Sequence, residues 1–301
     1  MRLLLVDGHY YAYRSFFAIR DLSNSRGEPT NAVFGFVKAL RKMLADVKPD
    51  AVAVVWDAGL PQRRMELLPS YKQQRDETPG DLEVQFPVIE EAVTALGAHN
   101  ASLTGHEADD LIASYAAAAR KKNAEVIIAT NDKDIYALVG DGVSVYSTNK
   151  TDLKDPHDSF ALLGPAEVEE KWGVPPGKIP DVLALTGDSV DNIPGVEGVG
   201  PKTAAKLVRA HGSTSLLAEN PGVIDNEKLR AKVDAAAARL RDNLELVRLE
   251  TDLPLPRPLG DLNVAPDPAA VVALAKKCEF RSLLAEYEKL AKAGGSQGEL
   301  F

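Results

Sequence analysis

The feature that most constrains this chain is a set of short apolar runs that each end at an aspartate. Residues 2–6 run into Asp7, Ala51–Trp56 runs into Asp57, and Glu125–Ala129 is followed three residues later by Asp132. Such runs, β-branched and without polar alternation, predict strands buried on both faces of a parallel sheet. A further strand is predicted at 143–146. Between them lie helical patterns. Val33, Val37, Leu40, Leu44 and Val47 form one apolar stripe across Asn31–Val47, and another helix is predicted near 84–96. The alternation predicts an α/β fold with a mostly parallel central sheet flanked by helices. In such a sheet the carboxyl ends of the strands open on one crevice, where ligands bind. A single aspartate there is an ordinary helix cap or turn residue. Three from separate strands at one edge exceed what composition predicts.

Further acidic clusters join them. Glu107-Ala-Asp109-Asp110 opens a predicted helix, with Glu107 and Asp110 on one face and Asp109 off it. Asp188 and Asp191 repeat that spacing, and Asp132-Lys-Asp134 puts two acids on one side of an extended stretch. Acids at helix starts also suit the helix dipole, which is the plain reading of any one cluster. Gathered without a cation, nine carboxylates would repel and raise one another's proton affinity. With no convincing His or Cys set, oxygen ligation predicts Mg²⁺ or Mn²⁺ instead of Zn²⁺. Two such ions suit phosphoryl hydrolysis.

A net charge of −9 argues at first against nucleic acid, yet these nine acids alone equal that excess. A single cysteine, Cys278, excludes an internal disulfide and suits a reducing cytoplasm. The apolar start stops at Asp7, too short for a signal segment or a membrane span, so a cytoplasmic protein without membrane contact is expected.

The blocks Leu-Leu-Val-Asp7-Gly-His, Val-Val-Trp-Asp57, Gly-His-Glu107-Ala-Asp109-Asp110, Thr-Asn-Asp132-Lys-Asp134 and Leu-Thr-Gly-Asp188-Ser-Val-Asp191-Asn-Ile-Pro-Gly carry a resemblance. In this order they resemble the 5′-nuclease domain of bacterial DNA polymerase I, within the flap endonuclease family, from Leu3 to about residue 290. The resemblance implies a PIN-like nuclease fold and 5′→3′ exonuclease and flap endonuclease activity on branched, flapped or nicked DNA. It also implies two Mg²⁺ ions, with Mn²⁺ as a substitute. Asp7, Asp57, Glu107, Asp109 and Asp110 would then surround the first ion, and Asp132, Asp134, Asp188 and Asp191 the second.

The basic segment at about 60–86 is similar to the family's helical arch. Tyr71, Lys72 and Arg75 match its Tyr-Lys-x-x-Arg signature, and Arg64 falls where the family has another phosphate-contacting arginine. Cations beside a two-metal site neutralise phosphate as charge develops. Gly59 stands where relatives commonly carry lysine, so one basic contact is expected to be missing. Tyr13 and Arg14 form a family-like pair, Tyr13 expected to stack on a base and Arg14 to contact phosphate. Gly195, Gly198 and Gly200, with the helix from Pro201, resemble the family's helix–hairpin–helix module, in which a K⁺ ion is implied. Glycines there allow close backbone approach to phosphate. Lys202, Lys206 and Arg209 make a cationic stripe along that helix.

The expected organisation is an α/β nuclease core over 1–164, a helical DNA-binding region over 165–292 and a tail over 293–301. The family's best-known members continue into a polymerase. Here Gln297-Gly-Glu-Leu300-Phe301 instead resembles the bacterial sliding-clamp-binding motif, which implies a stand-alone, monomeric nuclease recruited by a clamp. Three other readings compete: a non-catalytic DNA-junction module, an RNA-cleaving PIN-type nuclease, and an aspartyl phosphotransferase. The last is disfavoured because Asp7-Gly-His lacks a second aspartate two residues on.

Overall fold

The computed structural model describes residues 1–155 and 157–295. Its centre is a six-stranded sheet of β1 (Arg2–Asp7), β2 (Ala51–Trp56), β3 (His99–Ser102), β4 (Glu125–Ala129), β5 (Val143–Ser147) and β6 (Ala161–Leu163). The order is β3-β2-β1-β4-β5-β6, parallel except for the antiparallel β6. Alternate residues of β1 serve two cores, as the two-residue period requires. Leu3 and Leu5 share one with Leu111, Ile112 and Tyr115 of the helix Ala108–Arg120. Leu4 and Val6 share the other with Phe36, Leu40 and Met43 of the helix Asn31–Val47. Both faces are covered, which is why the strands read as unbroken apolar runs.

The chain leaves β1 toward β2 on one side and returns to β4 on the other. The strand order therefore reverses at β1, and the crevice lies beyond the carboxyl ends of β1, β2 and β4. The first core continues into the helices Ile179–Thr186, Pro201–His211 and Glu227–Val247 through Val182, Leu183, Leu207, Val208, Leu240 and Leu244.

The span 165–292, expected as one helical region, divides. After residue 254 the chain crosses back to the sheet: Val52 N–H donates to the Leu262 carbonyl at 2.9 Å, and Val264 N–H to that of Asp50 at 3.2 Å. The helix Pro268–Lys277 then buries Val271 and Leu274 in the second core, beside Phe36 and Ile89. Among the described residues no helix is long and apolar enough to cross a membrane.

Candidate active site

The strand-end aspartates each hold local structure as well as facing the crevice. Asp7 caps the helix Gly8–Ala18, one oxygen accepting from Tyr10 N–H at 2.9 Å and the other from the Thr130 hydroxyl at 2.9 Å. Asp57 accepts from Ala108 N–H at 2.7 Å, at the start of the helix Ala108–Arg120. Asp132 accepts from Asp134 N–H at 2.9 Å, which folds the Asp132-Lys-Asp134 turn. Cap and site roles thus coexist. Asp7, Asp57, Asp109 and Asp132 line one cleft of about 1050 Å³. Lys72, Arg75, Tyr13 and Arg14 line the same cleft.

Burial and like charge dominate the electrostatics. Burial pushes the Asp7 carboxyl up to about 7, with Asp57 and Asp132 adding to it. Burial and then Asp132 push Asp134 up to about 8. Asp109 is held well above the usual carboxylate range by burial, then by Asp132 and Asp7. Asp134 Oδ1 is buried without a hydrogen-bond partner. An orphaned carboxylate oxygen among crowded carboxylates, in an all-oxygen donor set, fits a hard divalent cation. As they stand, no three acids among the described residues converge closely enough to hold one.

Basic side chains instead lie against several of the acids. Lys72 pairs with Glu107, Lys133 with Asp188, and Arg75 with Asp191 at 2.7 Å. Burial opposes ionisation of Asp188, but the hydrogen bond and charge of Lys133, together with the backbone N–H groups of Val190 and Asp191, outweigh it and hold that carboxyl below its usual range.

A pH dependence follows. The folded state holds Asp7, Asp109 and Asp134 above their unfolded affinity for protons, so protonation favours the fold. Thermal stability in chelator is expected to be highest near the ordinary carboxylate range and to decline as pH rises through about 7 and about 8. A flat melting profile across that window would count against the crowding.

The predicted residues are not all placed as expected. Glu107 and Asp110 do share a helix face, but that face meets Arg64. The Arg64 side chain donates to Glu107 Oε2 at 2.6 Å and to both oxygens of Asp110, and the residue is only 4% exposed. Asp110 is 1% exposed and also accepts from Glu250 N–H at 2.9 Å, so its oxygens are committed within the protein. In this structure Asp110 faces Arg64 and is not among the residues that line the cleft. Tyr71 is buried too, its hydroxyl 3.2 Å from both Glu107 and Asp191, so it touches acids where a DNA contact was expected. Arg64, expected to meet phosphate, faces these acids and is not among the residues that line the cleft.

Asp109, predicted to point away from the shared face, is the member of its cluster that lines the cleft. Tyr13 lines it with its hydroxyl 2.6 Å from that of Thr78, and Arg14 is exposed, 3.1 Å from the Thr148 hydroxyl. Sequence reasoning missed Lys133, Thr130 and His9. Lys133 carried a signal in its place between two aspartates. His9 accepts from Asp57 N–H at 3.2 Å, and burial lowers its proton affinity.

In the hairpin, a Cβ on Gly195 would lie 2.1 Å from the Thr186 carbonyl oxygen, whereas one on Gly200 would meet nothing within 4 Å. Gly198 has φ +73°. Lys202, Lys206 and Arg209 are exposed and form no ion pair among the described residues. Gln297, Leu300 and Phe301 lie outside the described residues.

Residues 2–173 match the family described as "5′-3′ exonuclease, N-terminal resolvase-like domain". The chain belongs to the 5′-3′ exonuclease family. Residues 174–269 match the description "5′-3′ exonuclease, C-terminal SAM fold", so the two family parts meet between Gly173 and Val174. The chain is 38% identical over 300 residues to the 5′-3′ exonuclease of Aquifex aeolicus, covering 99% of each. It is 43% identical over 286 residues to the thermostable DNA polymerase I of Thermus thermophilus, covering 95% of this chain and 33% of that one. The chain thus spans about a third of the length of the polymerase relatives that it matches. Among solved structures, the bacteriophage T5 5′-exonuclease with bound zinc superposes with a TM-score of 0.68 at 22% identity. That superposition covers 96% of this chain and 97% of the other, and it shows a shared fold.

Proposed function

We propose that this member of the 5′-3′ exonuclease family hydrolyses phosphodiester bonds of flapped, nicked or branched DNA. It acts as a 5′→3′ exonuclease and a flap endonuclease that uses two divalent ions, Mg²⁺ or in its place Mn²⁺. The observation that carries this reading is the cleft itself, which crowded, proton-hungry carboxylates line together with Lys72 and Arg75. Asp7, Asp57, Glu107 and Asp109 are suited to surround one ion, with Asp110 held by Arg64. Asp132 and Asp134, with Asp188 and Asp191 once released by Lys133 and Arg75, are suited to the other. When bound, such ions supply an activated water and neutralise charge on the phosphate.

The chain's own cations do the positioning. Lys72 and Arg75 are held at the cleft by Glu107 and Asp191, and an incoming phosphate offers them an equivalent anionic partner. Tyr13 offers a ring beside the acids for stacking on an unpaired base, and Arg14 offers an exposed guanidinium beside it. The stripe of Lys202, Lys206 and Arg209 grips duplex phosphates, with the implied K⁺ ion in the adjacent hairpin. The Gln297, Leu300 and Phe301 motif recruits the enzyme to a sliding clamp; removal of residues 297–301 then lowers clamp affinity in a direct binding assay.

A labelled 5′-flap duplex tests the main reading. Cleavage is expected with Mg²⁺ and not with EDTA, and cleavage that ignores the chelator would reject it. Replacing Lys202, Lys206 and Arg209 together by alanine is expected to weaken duplex binding. The slope of log affinity against log salt should become shallower by about 2 to 3. An unchanged slope would remove the stripe from the interface.

A further inference from the structure

Arg64 sits on the short helix Gln62–Leu67, just past β2, and its guanidinium is spent entirely inside the protein. Nε donates to the Leu246 carbonyl at 2.9 Å. Nη1 donates to Glu107 Oε2 at 2.6 Å and to Asp110 Oδ2. Nη2 donates to Asp110 Oδ1 at 2.9 Å and to the Arg248 carbonyl at 3.3 Å. Arginine has five N–H donors, and all five are used. With the residue 4% exposed, no donor remains for a phosphate.

The partners come from two separate stretches of chain. Glu107 and Asp110 open the helix that carries Asp109 into the cleft. Leu246 and Arg248 lie where the long helix Glu227–Val247 ends. The neighbouring Arg63 strengthens that join, its Nη2 lying 3.1 Å from the Glu245 carbonyl. The Glu107 carboxylate is consequently divided: Oε2 goes to Arg64, and Oε1 faces Lys72 at the cleft.

We propose that Arg64 is a positioning residue and not a phosphate contact. Its planar fork fixes Glu107 with one oxygen turned to the cleft and locks the acid-bearing helix to the end of the long C-terminal helix. This rests on the proposed nuclease reading of the cleft, but it assigns Arg64 a role that its basic surroundings in the sequence do not suggest. The two roles differ in what they move. A phosphate contact contributes to DNA affinity and about 0.9 to the salt slope on duplex. A positioning residue changes turnover and ion affinity and leaves both of those alone.

The test uses the full chain and a fluorescent 5′-flap duplex. DNA affinity is read by anisotropy in EDTA across a salt series, single-turnover cleavage in Mg²⁺, and ion affinity by Mn²⁺ titration. Arg64→Lys keeps the charge but loses the fork. It is expected to lower turnover about 100-fold and Mn²⁺ affinity about 10-fold, with DNA affinity and salt slope unchanged. Asp110→Asn, at a residue too buried to touch DNA, is expected to show the same pattern. Arg64→Lys with wild-type turnover and Mn²⁺ affinity would overturn the proposal. So would weakened, less salt-dependent binding in Arg64→Lys alongside a wild-type Asp110→Asn.

Should Arg64→Lys fail to fold by circular dichroism, Arg64→Gln decides, turnover loss at unchanged DNA affinity and salt slope in favour and weakened, less salt-dependent DNA binding against. The wild-type arm separately tests the nuclease reading, and the Mn²⁺ titration reads Arg64 whatever that arm shows.

Discussion

Asp109→Asn is expected to abolish flap cleavage, by about 1000-fold or more, while making the metal-free protein more stable. The two effects have one origin. Burial, then Asp132, Asp7, Asp134 and Asp57, all oppose a negative charge on Asp109. Asparagine has the same shape without the charge, so the repulsion disappears from the folded state. What is removed is also the carboxylate that the helix Ala108–Arg120 delivers to the cleft. In EDTA at about pH 8 the variant is expected to melt above the wild type. In saturating Mg²⁺ the order should narrow or reverse, because binding to the native state stabilises the wild type more. Cleavage within about tenfold of wild type would remove Asp109 from the chemistry. A lower melting temperature in EDTA would show that its charge is already compensated.

Which parts of this arrangement could be read from sequence follows from what each residue is packed against. β2 and the helix Asn31–Val47 have the boundaries their apolar patterns predict, because burial on two faces or one stripe leaves a pattern. β3, His99-Asn-Ala-Ser, leaves none. It sits at the sheet edge, where Asn100 accepts from the Trp56 ring N–H at 2.9 Å and the His99 ring lies 3.0 Å from the Asn263 carbonyl.

The convergence of Asp7, Asp57 and Asp132 was legible because it follows from strand direction alone. The fate of Arg64 was not. In sequence, a buried arginine with every donor used looks the same as a solvated one in a basic segment. Its partners at Leu246 and Arg248 lie more than 180 residues away. The return of the helix Pro268–Lys277 to the sheet was hidden for a similar reason. Its apolar positions say that it packs, and only the crossing at Leu262 and Val264 says on what.

Gly195 shows how a correct requirement can have a different cause from the expected one, and Gly195→Ala is the second large prediction. Close backbone approach was anticipated there for phosphate, but the structure places protein backbone in that space. An added Cβ would lie 2.1 Å from the Thr186 oxygen and 2.6 Å from the Gly187 nitrogen, neither of which can swing aside as a side chain would. Gly187 opposes it with φ +67°, and its own Cβ would meet Gly195 N at 2.3 Å.

The two glycines close a small antiparallel pair, Gly187 to Pro194 and Asp188 to Ile193, which Asn243 braces by donating at 2.9 Å to the Ala184 and Pro194 carbonyls. Prising that pair apart shifts Asp188 directly and pulls on Asp191 between its strands. Gly195→Ala is therefore expected to cost about 3 kcal/mol of stability, seen in denaturant melts, and to lower cleavage. Gly200→Ala, with open space at the same distance, should melt as the wild type does. If Gly195→Ala instead kept full stability and lost only DNA affinity, the glycine would be there for the phosphate after all.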